Sequence, residues 1–196
     1  MSKHLGNVVE PDELVERYGA DAVRLAVLYA ARPQRSLNWS DSALLRCHRF
    51  LGQVWDYSHA KLDELQAIEQ STAAGGPAGE VPATDTSEHL RRRLAKWCEA
   101  AVERTTQDME QLEIHSAVRN VMRLFDRIKD FEKRVLERDG RLSRANSEAL
   151  VNALTLLAQL LGPLAPHIAE ELWIAFGQQE HGAQTPWPGV SFRVPA

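Results

Sequence analysis

The sequence predicts an all-α protein, an antiparallel helix bundle with one flexible connection. Apolar residues recur at helical spacings of three and four in successive segments, each of which begins with a capping residue. No segment shows the alternating pattern of a strand bounded by turn residues. Residues 70–86 (QSTAAGGPAGEVPATDT) carry three glycines, two prolines and no aromatic residue, which is typical of a flexible connection.

Two short helices are predicted at the start of the chain. Pro11 occupies a favoured first-turn position and is followed by two acidic residues, which complement the positive end of a helix. Gly19 is expected to end this helix, Asp21 to start the next, and Pro33 to stop it. The buried face of the second helix is expected to carry Leu25, Leu28 and Tyr29.

Four longer segments complete the predicted bundle. Their expected first residues, all with capping side chains, are Ser40, Ser87, Ser116 and Asn146. Glycines are expected to end three of the helices, at Gly140, Gly162 and Gly177. The apolar periodicity of the first segment comes from Leu44, Phe50, Leu51, Val54, Trp55 and Leu62. The buried stripe of the third comes from Val118, Met122, Phe125, Ile128 and Val135.

Composition limits the possible classes of protein. The 196 residues are 44% hydrophobic, which suffices for a sizeable core. A net charge of -4 argues against a dedicated nucleic-acid-binding protein but allows a basic face. Cys47 and Cys98 are far apart and are expected to be reduced, buried thiols. With no apolar run near ~20 residues and no signal peptide, the sequence predicts a soluble cytoplasmic protein without a membrane partner.

Three stretches carry a resemblance to a known family. The first stretch resembles the KMSKS loop and following helices of class I aminoacyl-tRNA synthetases; it is residues 1–25, MSKHLGNVVEPDELVERYGADAVRL. The second stretch is similar to leucyl enzymes of the bacterial type; it is residues 32–55, RPQRSLNWSDSALLRCHRFLGQVW. Its pentamer LNWSD distinguishes it from the valyl and isoleucyl relatives. LLGPLAPHIAEELWIAFG (160–177), followed by PWP, is similar to the end of the helical anticodon-binding domain.

This resemblance implies a division of the chain. Residues 1–33 would be the KMSKS-like loop with the helices that connect it to a catalytic domain. Residues 34–177 would be the anticodon-binding-type bundle, interrupted by the flexible 70–86 segment. Residues 178–196, with three prolines, would form an extended tail that Trp187 pins.

The resemblance also implies site residues in the loop. In the family, the loop closes over ATP, which is used with Mg, and its ammonium groups neutralise charge on the pyrophosphate. Lys3 matches the second lysine and is the candidate catalytic residue, while Ser2, Lys3 and His4 are the candidate ATP-binding residues. Two positions depart from the family: its first lysine would precede Met1, and His4 replaces its second serine.

Motifs of a nucleotide-binding fold are missing from the sequence. It contains no HxGH, GxGxxG or P-loop pattern, whereas the family's ATP-binding sheet and editing domain lie upstream of the loop. We therefore expect the C-terminal part of a leucyl-tRNA synthetase, which forms no adenylate alone. Two alternatives stay open: a non-catalytic subunit that pairs with a separate catalytic chain through Leu5, Val8, Val9 and Val15, or a shortened or truncated gene product.

A basic segment is the candidate tRNA-binding surface. Residues 115–144 contain nine Lys or Arg and five Asp or Glu, and Arg119, Arg123 and Arg127 follow at intervals of four, with Arg134 beyond. These four arginines are predicted to contact phosphates of leucine tRNA. The alternative is a solvated face on which Asp126, Asp130, Glu132 and Glu137 pair with the basic side chains.

Other polar and aromatic residues give weaker signals. Arg91, Arg92 and Arg93 should point in three directions around a helix. Packing in the core is favoured over base stacking for the tryptophans on apolar faces, which are Trp39, Trp55, Trp97 and Trp173. Cys47, His48 and His59 lack a second ligand pair, so no metal site is predicted.

Overall fold

The computed structural model describes residues 10–30, 39–73, 87–178 and 182–189, and every regular element within them is helical. The predicted all-α fold is therefore confirmed. The helices are α1 Pro11–Tyr18, α2 Ala20–Ala30, α3 Asp41–Ala73, α4 Glu88–Glu110, α5 Ile114–Asp139, α6 Arg144–Leu161 and α7 Pro166–Ala175, and a 3-10 helix spans Gly182–Gln184. Some predictions concern positions outside the described residues, namely Ser2, Lys3, His4, Leu5, Val8, Val9 and Pro33.

Proline and glycine set several helix ends as predicted. Pro11 opens α1, and Gly19 follows it with a φ of 85°, donating its N–H to the carbonyl of Val15. Gly140 ends α5 with a φ of 70°. Both glycines adopt positive φ, where a side chain would be strained, so the chain can reverse direction at these two points.

Three predicted boundaries were wrong. α5 begins at Ile114, before Ser116, because the carbonyl of Glu113 already accepts the first backbone bonds. α6 begins at Arg144, because the Ser143 hydroxyl accepts the N–H of Asn146 and caps the helix three residues earlier than predicted. α3 continues to Ala73, past Gln70, since the first glycine of the connection comes only at position 75.

Helices α4 and α5 run antiparallel and pack along each other. At one end the Ser87 hydroxyl, before α4, donates to Asp139 at the end of α5. At the other end Asn120, early in α5, donates to Asp108 near the end of α4 at 2.7 Å. The tight turn between them places Leu112 at a φ of 57°. Because both ends are tied, the register of the two helices, and of the side chains on their shared face, is fixed.

The core forms around α5. Phe125 is 1% exposed and meets the rings of Phe50 and Tyr57 edge-on, with centroids 5.8 and 5.6 Å away. The predicted stripe of α5 is buried, with Met122 partly so. Trp173 is buried, and Trp39 and Trp97 pack half-buried against the core. Trp55 was wrongly predicted to pack inside: it is 38% exposed, because it lies one residue beyond Val54, at the edge of the buried stripe of α3.

An aspartate from α2 caps α7. The side chain of Asp21, largely buried, accepts the Ile168 backbone N–H at 2.8 Å and contacts Nδ1 of His167 at 2.9 Å. Pro166 supplies the first turn of α7, so this carboxylate satisfies an amide that the helix leaves unpaired. The two ends of the chain are thereby joined across the bundle.

Replacing Asp21 with alanine is expected to lower the free energy of unfolding by about 1–2 kcal/mol, because it removes the acceptor of a partly buried amide at the start of α7. Urea unfolding followed by circular dichroism measures this change. Asp12→Ala, in the exposed first turn of α1, is the matched control and should change stability by less than about 0.5 kcal/mol. Equal losses in both variants would show that the cap does not stabilise the bundle.

The tail folds back onto the bundle. The indole N–H of Trp187 donates to the Thr106 hydroxyl at 2.7 Å, and the Gln159 amide donates to the Pro186 carbonyl at the same distance. The prediction that Trp187 pins the tail is confirmed within residues 182–189, but the prediction that the tail is extended was wrong at Gly182–Gln184, which form a 3-10 helix.

Candidate nucleic-acid interface

All four arginines of the predicted basic face lie exposed on α5. Arg119, Arg123, Arg127 and Arg134 fall within an arc of roughly 80° at 3.6 residues per turn. Arg119 donates to the Ser116 hydroxyl at 3.1 Å and Arg123 to the Asn120 side-chain oxygen at 3.2 Å. These neutral partners orient the two guanidinium groups without cancelling their charge.

The carboxylates of the same face pair mostly with other cations. Asp130 pairs with Arg134 at 2.8 Å, Asp126 with Lys129 at 3.2 Å, and Glu137 with Lys133 at 3.6 Å. Glu132 points to the other side of α5, where it binds Lys61 and accepts the Tyr57 hydroxyl at 2.6 Å. Among the described residues, no carboxylate lies within 4.0 Å of Arg119, Arg123 or Arg127, so of the four predicted arginines Arg134 alone forms an ion pair there.

Helix α4 adds further basic side chains and an aromatic ring to this face. The guanidinium carbons of Arg93 and Arg127 lie 4.8 and 5.0 Å from the centroid of the Trp97 ring. Such cation–π contacts are worth about 0.5–1 kcal/mol each at exposed sites. Between the two helices is a groove of about 220 Å³, lined by Trp97, Ala100, Ala101, Arg104, Asn120, Arg123, Leu124 and Arg127. We call this groove, together with Arg93 beside the Trp97 ring, the α4–α5 groove.

The pKa of Asp130 reflects the arginines that surround its carboxylate. Its pKa is held below the ordinary value, chiefly by the hydrogen bond from Arg134 and further by the charges of Arg134, Arg127 and Arg93. One half-buried carboxylate therefore faces three guanidinium groups. The surface keeps a positive excess here despite the net charge of -4 for the whole chain.

The sequence indicated part of this surface and missed the rest. The three arginines 91–93 do diverge as predicted: Arg91 reaches Asn146 at 3.0 Å, Arg92 pairs with Glu88, and Arg93 joins the α4–α5 groove. Trp97 and Arg104 were not predicted as site residues. The spacing of four between Arg93 and Trp97 was an available signal, but their approach to Arg127 depends on the register of two helices.

A second surface lies where α1, α2 and α3 meet. α1 buries none of its residues, Val15 is 39% exposed, and the Trp55 ring lies open beside that of His59, with centroids 4.2 Å apart. A cavity of about 460 Å³ lies beside the Trp55 ring, lined mainly by apolar and aromatic side chains that include Tyr18, His48, Leu51, Trp55 and Ile168. This surface has the character of an interdomain contact rather than of a phosphate-binding face.

Both cysteines are buried and free, as the sequence predicted. Burial raises the pKa of Cys47 to about 11 and that of Cys98 to about 12. Within the described ranges, no three His, Cys, Asp or Glu side chains come together to hold a metal ion. Across the same ranges, none of the helices combines the length and apolarity needed to span a bilayer.

Thiol reactivity follows from this burial. At about pH 8 the native chain should react with a water-soluble disulfide reagent at well under a hundredth of the rate of free cysteine, whose pKa is about 8.5, because the thiols stay protonated and covered. Absorbance of the released thiolate measures the reaction, and unfolding in urea should release both thiols. Fast reaction of the native chain would contradict the burial.

Two family models match the sequence. Residues 92–193, just over half of the chain, match the anticodon-binding domain of tRNA ligase. Residues 1–40 match the tRNA synthetases class I (I, L, M and V). The first match begins within α4 and continues through α7, so it includes the whole α4–α5 groove.

Individual relatives and one solved structure agree with these models. The chain is 34% identical to leucine–tRNA ligase of Legionella pneumophila strain Corby over 97% of its length, and equally to that of Coxiella burnetii strain RSA 331 over 96%. It spans only 22% and 21% of those two proteins. The crystal structure of the ternary complex of Agrobacterium radiobacter K84 agnB2 LeuRS-tRNA-LeuAMS is similar at a TM-score of 0.74 and 30% identity, over 99% of this chain and 22% of that one.

These matches confirm the resemblance to leucyl enzymes that residues 1–55 and 160–177 carried. The bundle, its order of helices and its exposed basic face all fall within the matched region. The chain belongs to the family of the anticodon-binding domain of tRNA ligase, and along nearly its whole length it is similar to a segment of leucine–tRNA ligases.

Proposed function

We propose that this chain is the tRNA-binding part of a leucine–tRNA ligase, the enzyme class that attaches leucine to its tRNA at the expense of ATP. The observation that carries the proposal is the α4–α5 groove, where Arg93, Arg123 and Arg127 have no carboxylate within 4.0 Å among the described residues. Unpaired guanidinium groups at a groove suit the phosphates of a nucleic acid.

The contacts would hold the tRNA backbone rather than identify bases. Asn120, the amide side chain in the groove, already donates to Asp108 and accepts from Arg123, so it is committed within the protein. Arginines on a helix surface mainly contact phosphate oxygens, which fixes the position of the nucleic acid without reading its sequence. Selection of leucine tRNA would then depend on its shape.

ATP enters this proposal only through the complete enzyme. Ser2, Lys3 and His4 are the residues proposed to contact it, with Lys3 neutralising charge on the pyrophosphate, and all three lie outside the described residues. When ATP is bound with Mg, it supplies the group that activates leucine. The described helices would contribute the placement of the tRNA.

The experiment is a binding titration of the purified chain against fluorescently labelled leucine tRNA. Anisotropy should show binding at about 50 mM salt that weakens steeply by about 200 mM, because each phosphate contact releases counterions. An unrelated tRNA serves as the comparison and should bind within about tenfold, since the proposed contacts are to the backbone. No binding to either tRNA at low salt would overturn the proposal.

A second function, docking to a catalytic domain, is favoured by the surface around α1. Its exposed Val15 lies within residues 1–40, the segment that matches the class I synthetase model, where a catalytic domain would adjoin. The partner would be a catalytic domain of this class, either in the same polypeptide or in a separate one.

Size-exclusion chromatography with the catalytic domain of the Legionella relative tests this docking. Co-elution with the wild-type chain and its loss in Val15→Asp would support it. Leu136→Asp, at a similarly exposed leucine on α5, is the matched control and should still co-elute. Co-elution unaffected by Val15→Asp would place the contact elsewhere.

A further inference from the structure

Trp97 contacts two arginines that come from different helices. Arg93 precedes it by one turn on α4, and Arg127 reaches it from α5, with guanidinium carbons 4.8 and 5.0 Å from the ring centroid. The ring itself is half-buried, packed against the core, and therefore cannot move freely. A fixed ring holds both flexible side chains near one point on the surface.

Because both guanidinium carbons lie within 5.0 Å of one ring centroid, they are at most about 9.8 Å apart, and two cations at such a separation repel each other unless an anion lies beside them. The nearest candidate within the protein, Asp130, makes its 2.8 Å bond to Arg134. Within the described parts of the chain, neither Arg93 nor Arg127 has a carboxylate within 4.0 Å. The N–H groups of both guanidiniums are therefore available to an external anion.

We propose that Trp97 is a positioning residue that holds Arg93 and Arg127 as a two-guanidinium clamp for backbone phosphate of RNA. The clamp rests on the proposed function, since it names the groups that would grip the tRNA. A guanidinium matches the geometry of two phosphate oxygens, and stacking on a ring leaves its N–H edge free for that bond.

The rest of the groove suits the sugar–phosphate backbone. Its floor is formed by Ala100, Ala101 and Leu124, which offer contact but no hydrogen bonds from their side chains, and Arg104 and Arg123 line it further along. The basic groups thus follow the groove rather than surround one point. A strand running along it would meet the clamp first at Trp97 and then the other two arginines.

Five variants test the clamp by anisotropy titration with leucine tRNA at several salt concentrations. Trp97→Leu should weaken binding about 3- to 10-fold and make the slope of log K against log salt shallower by about 1, as for loss of one phosphate contact. Arg93→Ala should do the same. Trp97→Phe keeps an aromatic face and should stay within about twofold of the wild type.

Arg92→Ala is the matched control, since Arg92 is the adjacent arginine but pairs with Glu88 instead. It should leave both affinity and slope unchanged. The double variant Trp97→Leu/Arg93→Ala should be no weaker than the worse single variant, because both changes dismantle the same unit. Circular dichroism verifies that each variant is folded. If Trp97→Leu does not fold, the pair Arg93→Ala and Arg127→Ala takes its place, and their effects should again be less than additive.

The outcomes separate the clamp from the proposed function. If the wild-type chain binds tRNA but the slope of log K against log salt is unchanged in Trp97→Leu and Arg93→Ala, the clamp is overturned. The proposed binding of tRNA is then unaffected. Equal losses in Arg92→Ala and Arg93→Ala would also overturn it, because the effect would then be one of overall charge. Absence of wild-type binding at low salt would overturn both.

Discussion

Replacing Arg93, Arg123 and Arg127 together by alanine is expected to weaken the binding of leucine tRNA roughly 100-fold at low salt. The three guanidinium groups lie at the α4–α5 groove without a carboxylate partner in the described structure. Arg93 and Arg127 count as one unit and Arg123 as a second, so two phosphate contacts are lost; each should cost about 1.5 kcal/mol, and about 1.4 kcal/mol is tenfold in affinity. The salt slope should become shallower by about 2, one for each phosphate contact. Fluorescence anisotropy measures both quantities.

The control variant removes the same charge from other places. Arg92, Lys133 and Arg144 are exposed and pair with Glu88, Glu137 and Glu148 respectively. Their triple replacement by alanine changes the net charge equally, but each lost cation was already offset by a neighbour. We expect at most about a threefold loss of affinity. If both triple variants lose affinity equally, attraction by net charge explains the binding, and the α4–α5 groove has no special role.

Replacing Phe125 with alanine is expected to lower the free energy of unfolding by about 3–5 kcal/mol. The ring is almost fully buried where α3 packs on α5, and it meets Phe50 and Tyr57 edge-on. Its removal leaves a cavity and also loses two aromatic contacts of about 0.5–1.5 kcal/mol each. Chemical denaturation in urea, monitored by circular dichroism, gives the change in stability.

Leu136→Ala is the control on the same helix, because Leu136 is 41% exposed and loses little packing when shortened. Its stability should change by less than about 0.5 kcal/mol. A small loss in Phe125→Ala would mean that the packing of Phe125 against Phe50 and Tyr57 does not stabilise the core.

Local signals explain why most of the helices could be predicted. Proline at Pro11 and glycine at Gly19 and Gly140 act through the backbone of their own residues, so their effect needs no knowledge of distant contacts. The stripe of α5 likewise follows from helical spacing alone. The start of α6 was harder, since Ser143 and Asn146 can both cap a helix and the hydroxyl of Ser143 is the one used.

Contacts between distant residues explain what the sequence did not reveal. Asp21 caps a helix that begins 145 positions later, and no local pattern indicates this. Trp97 looked like a core residue because it lies beside an apolar stripe, and only the register of α5 brings Arg127 to its ring. The candidate surface was thus predicted on α5, while its half on α4 depended on tertiary packing.

Site-directed photo-crosslinking tests the central claim, that the α4–α5 groove is the tRNA-binding face, most directly. Cys47 and Cys98 are buried with raised pKa values, so a cysteine introduced on the surface can be labelled selectively. Arg104→Cys places the photoreactive group at the groove, and Ile174→Cys places it on α7, which packs against α2, α3 and α6. We expect crosslinks to leucine tRNA from position 104 and few from position 174. Crosslinks from position 174 with none from position 104 would contradict the assignment of this face.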